Sequence, residues 1–133
     1  MINYKKLLGL AVCFALAVLW MAAKGNDGVI SKENGMYVVN TTTLAADVEG
    51  YLGTTPLKIY IKKNKIQKIE ALRNQETPKY FAKIKNQLLD KWNGMTVKEA
   101  QKAQVDGVTG ATFSSNAVKE NVKRGLDYYQ KHK

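Results

Sequence analysis

The chain has 133 residues, of which 45% are hydrophobic, 24% are charged and two are proline, with a formal charge of +10. This composition excludes a disordered or collagen-like chain, and the length fits one domain with at most a short appendage. A single Cys excludes an intramolecular disulfide and a Cys-rich metal site. The single His, His132, lies next to the chain end, where an oriented catalytic histidine is rarely held. Any chemistry is therefore expected to come from a cofactor or to be absent.

The N-terminus combines a basic segment with an uncharged apolar stretch. Lys5 and Lys6 precede Leu7–Ala23, which as a helix would be about 25 Å long, slightly short of the roughly 30 Å hydrocarbon core. A cleaved signal peptide over 1–23 and an uncleaved signal anchor both fit. The anchor is favoured because cleavage at the end of this stretch would place Met21 where a small residue is preferred. A lipoprotein with lipidated Cys13 fits less well, since the apolar stretch continues past it; each alternative exports residues 25–133.

Residues 24–35 are polar and contain three glycines, which predicts a tether to a domain over 36–133. Met36–Thr43 is rich in β-branched residues and predicts a strand. Alternation over 57–62, followed by a turn at 63–65 and a return over Ile66–Arg73 with Ile69 and Ala71 inward, predicts a hairpin. These segments together predict an antiparallel meander.

The C-terminal half has helical signals. Thr77 and Pro78 are typical of a helix start, and a buried stripe follows at helical spacing, formed by Phe81, Ile84, Leu88 and Trp92. Thr96 opens a capping box that predicts a short helix to about Ala103. A last helix is predicted from Ser115 to Gln130, its inner stripe being Val118, Val122, Leu126 and Tyr129. The predicted fold class is α+β: a small antiparallel sheet with helices toward the C-terminus, preceded by one N-terminal hydrophobic helix.

Five lysines, at positions 58, 62, 63, 65 and 68, lie on the predicted hairpin. The favoured interpretation is a solvated face whose charges discourage edge-to-edge pairing. The alternative is contact with anionic lipid head groups or an acidic partner. A nucleic-acid partner is not expected, because no aromatic platform has the spacing of a nucleic-acid-binding module.

The segment Asp106–Ser115 combines two glycines with four hydroxyl side chains just before the last helix. Gly107 and Gly110 permit tight turns and close approach of another group. A helix N-terminus offers unpaired N–H donors and the positive end of the helix dipole, which together favour a phosphate or another anion. The alternative is that Ser114 or Ser115 merely caps the helix.

The pattern Asp-x-x-Thr-Gly-Ala-Thr-x-Ser-Ser over 106–115 resembles the flavinylation motif of the FMN-binding domain family. That family includes the periplasmic flavin subunits of sodium-pumping NADH:quinone reductase and of the Rnf electron-transport complex. The matching positions are Asp106, Thr109, Gly110, Ala111 and Thr112. The resemblance extends over much of 36–133, with weaker likeness at Gly50-Tyr51 and at Glu76-Thr77-Pro78. Lys79 stands where the larger relatives have Gly, which implies a different wall of the flavin pocket.

The resemblance implies a role for each motif residue. Thr112 would carry FMN through a phosphoester bond made by a flavin transferase, and Asp106 would serve that transferase. Gly110 and Ala111 would leave room for the ribityl chain, and Ser114 and Ser115 would donate to the phosphate oxygens. Three aromatic residues are candidates for stacking on the flavin ring: Tyr51, Tyr80 and Trp92. Tyr51 is favoured because it lies on a loop between glycines, whereas Trp92 also fits the helix core.

The sequence therefore predicts a small electron carrier with covalent FMN. It would be anchored in the bacterial cytoplasmic membrane through residues 7–23 and relay electrons between a membrane redox partner and an extracytoplasmic acceptor. One alternative is an FMN-dependent reductase acting on a small extracytoplasmic substrate. The other is a non-redox module that binds an acidic surface through its basic hairpin. No metal site is expected.

Overall fold

The computed structural model describes residues 28–133, so the predicted apolar helix over 1–23 lies outside the described residues. The described chain forms a four-stranded antiparallel sheet in the order β1-β2-β3-β4. The strands are β1 (Ile30–Glu33), β2 (Met36–Asn40), β3 (Leu57–Lys62) and β4 (Lys65–Ala71). The predicted meander is therefore confirmed.

Strand β1 lies inside the segment 24–35, which the sequence indicated as a tether. Its residue Ile30 pairs with Val39 of β2. The connection is a two-residue turn in which Asn34 and Gly35 have φ of 51° and 77°, and Asn-Gly is a strong signal for such hairpin turns. The side chains of this edge strand are half-buried or exposed, so its sequence need not alternate between apolar and polar residues. The apolar pattern therefore did not reveal β1.

Strand β2 ends at Asn40, three residues before the predicted end of the strand. The chain turns away there because the buried hydroxyl of Thr41 accepts a hydrogen bond from Leu57 N at 2.9 Å and donates to Asn121 Oδ1. Residues 41–56 then form a loop that contacts the last helix through Arg124, whose Nη1 donates to Leu44 O at 3.0 Å.

Strands β3 and β4 form the predicted hairpin. Its turn residues Lys63 and Asn64 both have positive φ, at 52° and 60°. Ile59 pairs with Ile69 and Ile61 with Ile66, so β4 has one extra residue between these pairs. This irregularity lets Ile66 and Ile69 both reach the core despite their odd spacing.

Helices cover one face of the sheet. They are α1 (Pro78–Gln87), a 3-10 helix (Leu89–Trp92), α2 (Val97–Lys102) and α3 (Thr112–His132). The expected start at Thr77-Pro78 is confirmed, although the α-helical geometry stops at Gln87. The predicted helix start at Thr96 is also confirmed, because the Thr96 hydroxyl accepts a hydrogen bond from Glu99 N at 3.1 Å.

Helix α3 begins at Thr112, three residues earlier than predicted. Its four predicted core residues are all buried. A Cβ added at Gly125 would lie 2.7 Å from Ile59 Cδ1, so the helix approaches the sheet closely at this glycine. Tyr129 packs edge-on against Tyr37 with ring centroids 5.7 Å apart. The described fold is therefore α+β, and α3 extends from the hairpin turns to the opposite end of the molecule.

None of the helices within residues 28–133 combines the length and the apolar character that a membrane crossing requires.

Candidate functional site

The motif residues lie at the N-terminus of α3. Gly110 has φ of 83°, and Ala111 is the N-cap, with no side-chain hydrogen bond to the helix. Because the first N–H groups of a helix have no intrahelical acceptor, the first turn, beginning at Thr112, presents unpaired donors and the positive end of the dipole. This geometry is compatible with the anion site that is one of the two interpretations of the sequence.

The loop before α3 is held by two lysines from different elements. Lys91 Nζ donates to the carbonyl oxygen of Asp106 at 3.0 Å, and Lys119 Nζ donates to that of Val105 at 3.1 Å. The Asp106 side chain remains exposed. These bonds present the Asp106 carboxylate to solvent on a fixed backbone.

Thr112 and Thr109 are both exposed. No hydrogen bond within the described part of the chain engages the Thr112 hydroxyl, which lies on the rim of a cleft. Gly110 and Ala111 line the same cleft, with Ala111 buried. The structure thus brings an accessible hydroxyl, a left-handed glycine and a helix N-terminus together.

The hydroxyls of Ser114 and Ser115, for which the resemblance implies a role as phosphate donors, both have partners within the protein. Ser115 Oγ accepts a hydrogen bond from Val108 N at 2.9 Å, and Ser114 Oγ donates to Glu76 Oε1 at 2.8 Å. Both serines are buried. Their hydrogen bonds fix the motif loop and the first turn of α3, because each joins the helix to a segment outside it.

Glu76 is a buried carboxylate that residue patterns alone did not place in the site. Its Oε1 accepts from Tyr51 N at 2.8 Å and its Oε2 from Leu52 N at 2.7 Å, besides the bond from Ser114. A Cβ added at Gly50 would lie 2.0 Å from Oε1, so only glycine fits there without displacement of Glu76. The signals in the sequence were Gly50-Tyr51 and Glu76-Thr77-Pro78, whose mutual contact only the fold reveals.

The cleft beside Thr112 has a volume of about 410 Å³ and is flanked by aromatic side chains. Four large hydrophobic side chains are exposed among the described residues, namely Tyr51, Leu52, Tyr80 and Phe113. Three of them line this cleft and Leu52 is next to Tyr51 in the chain. The ring centroids of Tyr51 and Phe113 lie 6.4 Å apart. Such a concentration of exposed aromatic surface is typical of a ligand site.

The three candidates for stacking on the flavin ring have different environments in the structure. Tyr51 and Tyr80 line the cleft, whereas Trp92 is 3% exposed and belongs to the hydrophobic core. Phe113 was not among the candidates. The signal that could have revealed it is a large apolar residue between the small polar residues of the motif, at the start of a helix.

The basic hairpin lies at the other end of α3. Asn64 in its turn accepts a hydrogen bond from the Tyr129 hydroxyl at 2.8 Å. Lys68 pairs with Glu70 at 2.9 Å and lies 4.5 Å from the centre of the Tyr60 ring. Burial, with a hydrogen bond to Glu70, raises the pKa of Tyr60 to about 12. The hairpin is therefore not part of the cleft.

Residues 28–133 contain no cluster of three or more His, Cys, Asp or Glu that could hold a metal ion.

The family model for the FMN-binding domain matches residues 50–127, which is more than half of the chain. The matched segment begins at Gly50 and includes Glu76, the motif loop and most of α3, so it contains every residue that lines the cleft. The chain belongs to the FMN-binding domain family and is a flavoprotein. Comparisons with curated proteins and with solved structures returned no match.

The residues present fit FMN. The flavin ring is flat and apolar, and three exposed aromatic side chains border the cleft. The phosphate is an anion, and the N-terminus of α3 opens at the same cleft. One cleft thus offers both kinds of contact that the two ends of FMN require.

Proposed function

We propose that this chain carries one FMN joined through its phosphate to the Thr112 hydroxyl, and that it relays electrons outside the cytoplasmic membrane. The observation that carries the proposal is the exposed Thr112 in the first turn of α3, on the rim of an aromatic cleft. A flavin transferase would form the bond between Thr112 Oγ1 and the phosphorus of FMN. The Thr112 hydroxyl would lose its proton and a P–O bond to the leaving group of the flavin donor would break, so that the chain gains the mass of FMN minus water. The motif residue Asp106 would be recognised by that enzyme.

The chain's own residues would bind and orient the cofactor. The first-turn N–H groups of α3 would stabilise the phosphoester anion, which the helix dipole also favours. Tyr51, Tyr80 and Phe113 would contact the ring, and Gly110 would permit close approach of the ribityl chain. Bound FMN supplies one- and two-electron redox chemistry.

A carrier is favoured over a reductase because the cleft offers little for proton transfer. Glu76 is the one acid among the residues that line it, and both of its oxygens accept hydrogen bonds from the protein. His132 lies at the far end of α3, stacked on Tyr128 at 3.9 Å. A reductase needs a group that can deliver a proton to its substrate.

The proposed location follows from the N-terminal sequence. Lys5 and Lys6 precede the uncharged stretch Leu7–Ala23. Positive charge before an apolar segment favours retention of that end in the cytoplasm. The domain would therefore be exported and held at the membrane, with a membrane redox partner as electron donor or acceptor.

The test of the covalent bond is the intact mass of the full chain from its native host, with fluorescence of the denatured band. We expect a mass increase of FMN minus water and a fluorescent band, both lost in Thr112→Ala. Thr77→Ala is the matched control, because Thr77 lines the same cleft and should leave loading normal. Flavin that remains bound to denatured Thr112→Ala would contradict the assignment.

Carrier and reductase are separated by the absorbance of the bound flavin in stopped flow. We expect reduction by dithionite and reoxidation by ferricyanide, with no appreciable oxidation of NADH by the purified protein, since the sequence has no Gly-rich nucleotide fingerprint. Rapid, saturable bleaching by NADH alone would identify an enzyme instead.

A further inference from the structure

The aromatic side chains around the cleft come from three separate elements. Tyr51 lies on the loop after Gly50, Tyr80 on α1 and Phe113 on α3. No two of them share an element, so their spacing depends on how the three elements are joined. All three side chains are more than half exposed, which means that core packing does not fix them.

Glu76 is in contact with all three elements. It lies two residues before Pro78, the first residue of α1. Its carboxylate accepts two backbone hydrogen bonds from the loop, from Tyr51 N and Leu52 N, and one from the Ser114 hydroxyl of α3. Glu76 is 6% exposed although it lines the cleft.

We propose that Glu76 is a positioning residue of the flavin cleft and that its carboxylate also lowers the reduction potential of the bound FMN. The three hydrogen bonds hold the elements that carry Tyr51, Tyr80 and Phe113 in one arrangement. The carboxylate is buried and accepts hydrogen bonds from Tyr51 N, Leu52 N and the Ser114 hydroxyl, so its position is fixed. Adding electrons to a cofactor beside a fixed negative charge costs free energy, and more so where water is excluded.

This inference rests on the proposed FMN cleft and adds a residue outside the flavinylation motif. A purely structural Glu76 would change the free energy of unfolding and the amide exchange of the Tyr51 loop. A positioning residue with the stated charge effect also changes the potential of the flavin, which is the quantity that separates the two roles.

The experiment uses the full chain with its flavin and compares Glu76→Gln, Ser114→Ala and Glu120→Gln. Glu120 is the matched control, because its carboxylate is partly exposed and pairs with Arg124 Nε at 3.0 Å, while it is not among the residues of the cleft. The readouts are the midpoint potential, from a dye-coupled redox titration, and hydrogen exchange at the amides of Tyr51 and Leu52.

We expect Glu76→Gln to shift the midpoint potential to a more positive value and to accelerate exchange at both amides roughly tenfold. Ser114→Ala should shift the potential slightly in the opposite direction, because the charge stays while one of its donors is lost. Glu120→Gln should leave both readouts at their wild-type values.

An unchanged potential in Glu76→Gln, with flavin still bound, would overturn the inference while leaving the proposed function intact. Equal shifts in Glu76→Gln and Glu120→Gln would also overturn it, since the effect would then be general. If Glu76→Gln does not fold, Ser114→Ala decides, and wild-type values of both potential and exchange in that variant would refute the role. Wild-type protein without FMN would overturn the proposed function and this inference together.

Discussion

At the scale of single residues, Asp106 shows that an exposed side chain can still have a specific role. Its backbone carbonyl is held by Lys91 at 3.0 Å, while its side chain lies in solvent. An exposed acid of this kind contributes little to stability. Asp106 nevertheless matches a position of the flavinylation motif that this segment resembles, and we propose that the flavin transferase recognises it.

We predict that Asp106→Ala lowers flavin loading far more than it lowers stability. The free energy of unfolding should change by less than about 1 kcal/mol, whereas the flavin-to-protein ratio should fall severalfold. Chemical denaturation and flavin absorbance measure the two quantities. Asp90→Ala, at an exposed acid outside the motif, should load normally. Normal flavin loading of Asp106→Ala would show that Asp106 has no role in flavin attachment and is only an acidic residue in a turn.

Tyr60 provides a second prediction at this scale, which concerns alkaline pH. Burial raises its pKa to about 12, and its hydroxyl donates to Glu70 Oε2 at 3.0 Å. In the unfolded chain its pKa is about 10, so the unfolded state loses the proton first as the pH rises. The stability that Tyr60 contributes is therefore complete below about pH 10 and decreases between about pH 10 and 12.

The expected result is a decline in the free energy of unfolding across that window that is smaller in Tyr60→Phe than in wild type. Denaturant titrations at a series of pH values measure it. Tyr80→Phe is the control, because Tyr80 is 53% exposed, and it should decline as wild type does. Identical curves for Tyr60→Phe and wild type would contradict the assignment.

At the scale of elements, α3 is the helix that connects the core to the cleft that we propose for FMN. Its N-terminal turn carries Thr112 and its middle is fixed by a buried polar cluster. Asn121 accepts from Thr41, donates to Ala117 O at 2.8 Å and reaches Thr55 Oγ1 at 3.5 Å. All of the buried polar side-chain atoms in the described chain have hydrogen-bond partners. The cluster joins α3 to both ends of the loop 41–56.

We predict that Asn121→Ala destabilises the protein by about 2 kcal/mol, because it leaves buried hydroxyl groups of Thr41 and Thr55 without their partner. Urea denaturation followed by circular dichroism measures the change. Asn116→Ala is the matched control on the exposed side of the same helix and should change stability by less than about 0.5 kcal/mol. Equal effects of the two substitutions would show that the cluster contributes nothing specific.

At the scale of the whole molecule, the described domain separates the cleft that we propose for FMN from a basic end. Helix α3 has 21 residues, which corresponds to about 31 Å, and it runs from Thr112 to the vicinity of the hairpin turn. The lysines at 62, 63 and 65 surround that turn and are exposed. Their charge is therefore far from the proposed phosphoester, whose anion is balanced by the helix N-terminus.

The proposed topology is a prediction for the whole chain. A reporter that is active only after export, fused behind Lys133, should be active, because Lys5 and Lys6 favour retention of the N-terminus in the cytoplasm. Moving both lysines to positions after the apolar stretch should reduce the reporter signal. Activity of a cytoplasm-only reporter at the same fusion point would contradict both the topology and the proposed place of flavin attachment.

Local sequence signals predicted a large part of this fold. Alternation marked β3, the Thr77-Pro78 pair marked the start of α1, and Thr96 with Glu99 marked the cap of α2. Each of these signals depends on residues within one or two turns or strands of each other, so no tertiary information is needed. The motif over 106–115 was equally local, and it indicated both the family and the position at which we propose FMN.

Only the tertiary structure decided how the cleft is built. Glu76 contacts Tyr51, Leu52 and Ser114 across separations of 25, 24 and 38 residues, and no local pattern reports such distances. The same contacts turn Ser114 inward and leave Phe113 exposed at the cleft. The local sequence pattern identifies Thr112 as the residue that would carry FMN, because the signals for a helix start lie within a few residues of one another. The aromatic walls depend on three elements packing together, since a long-range contact is determined by the fold of the whole domain.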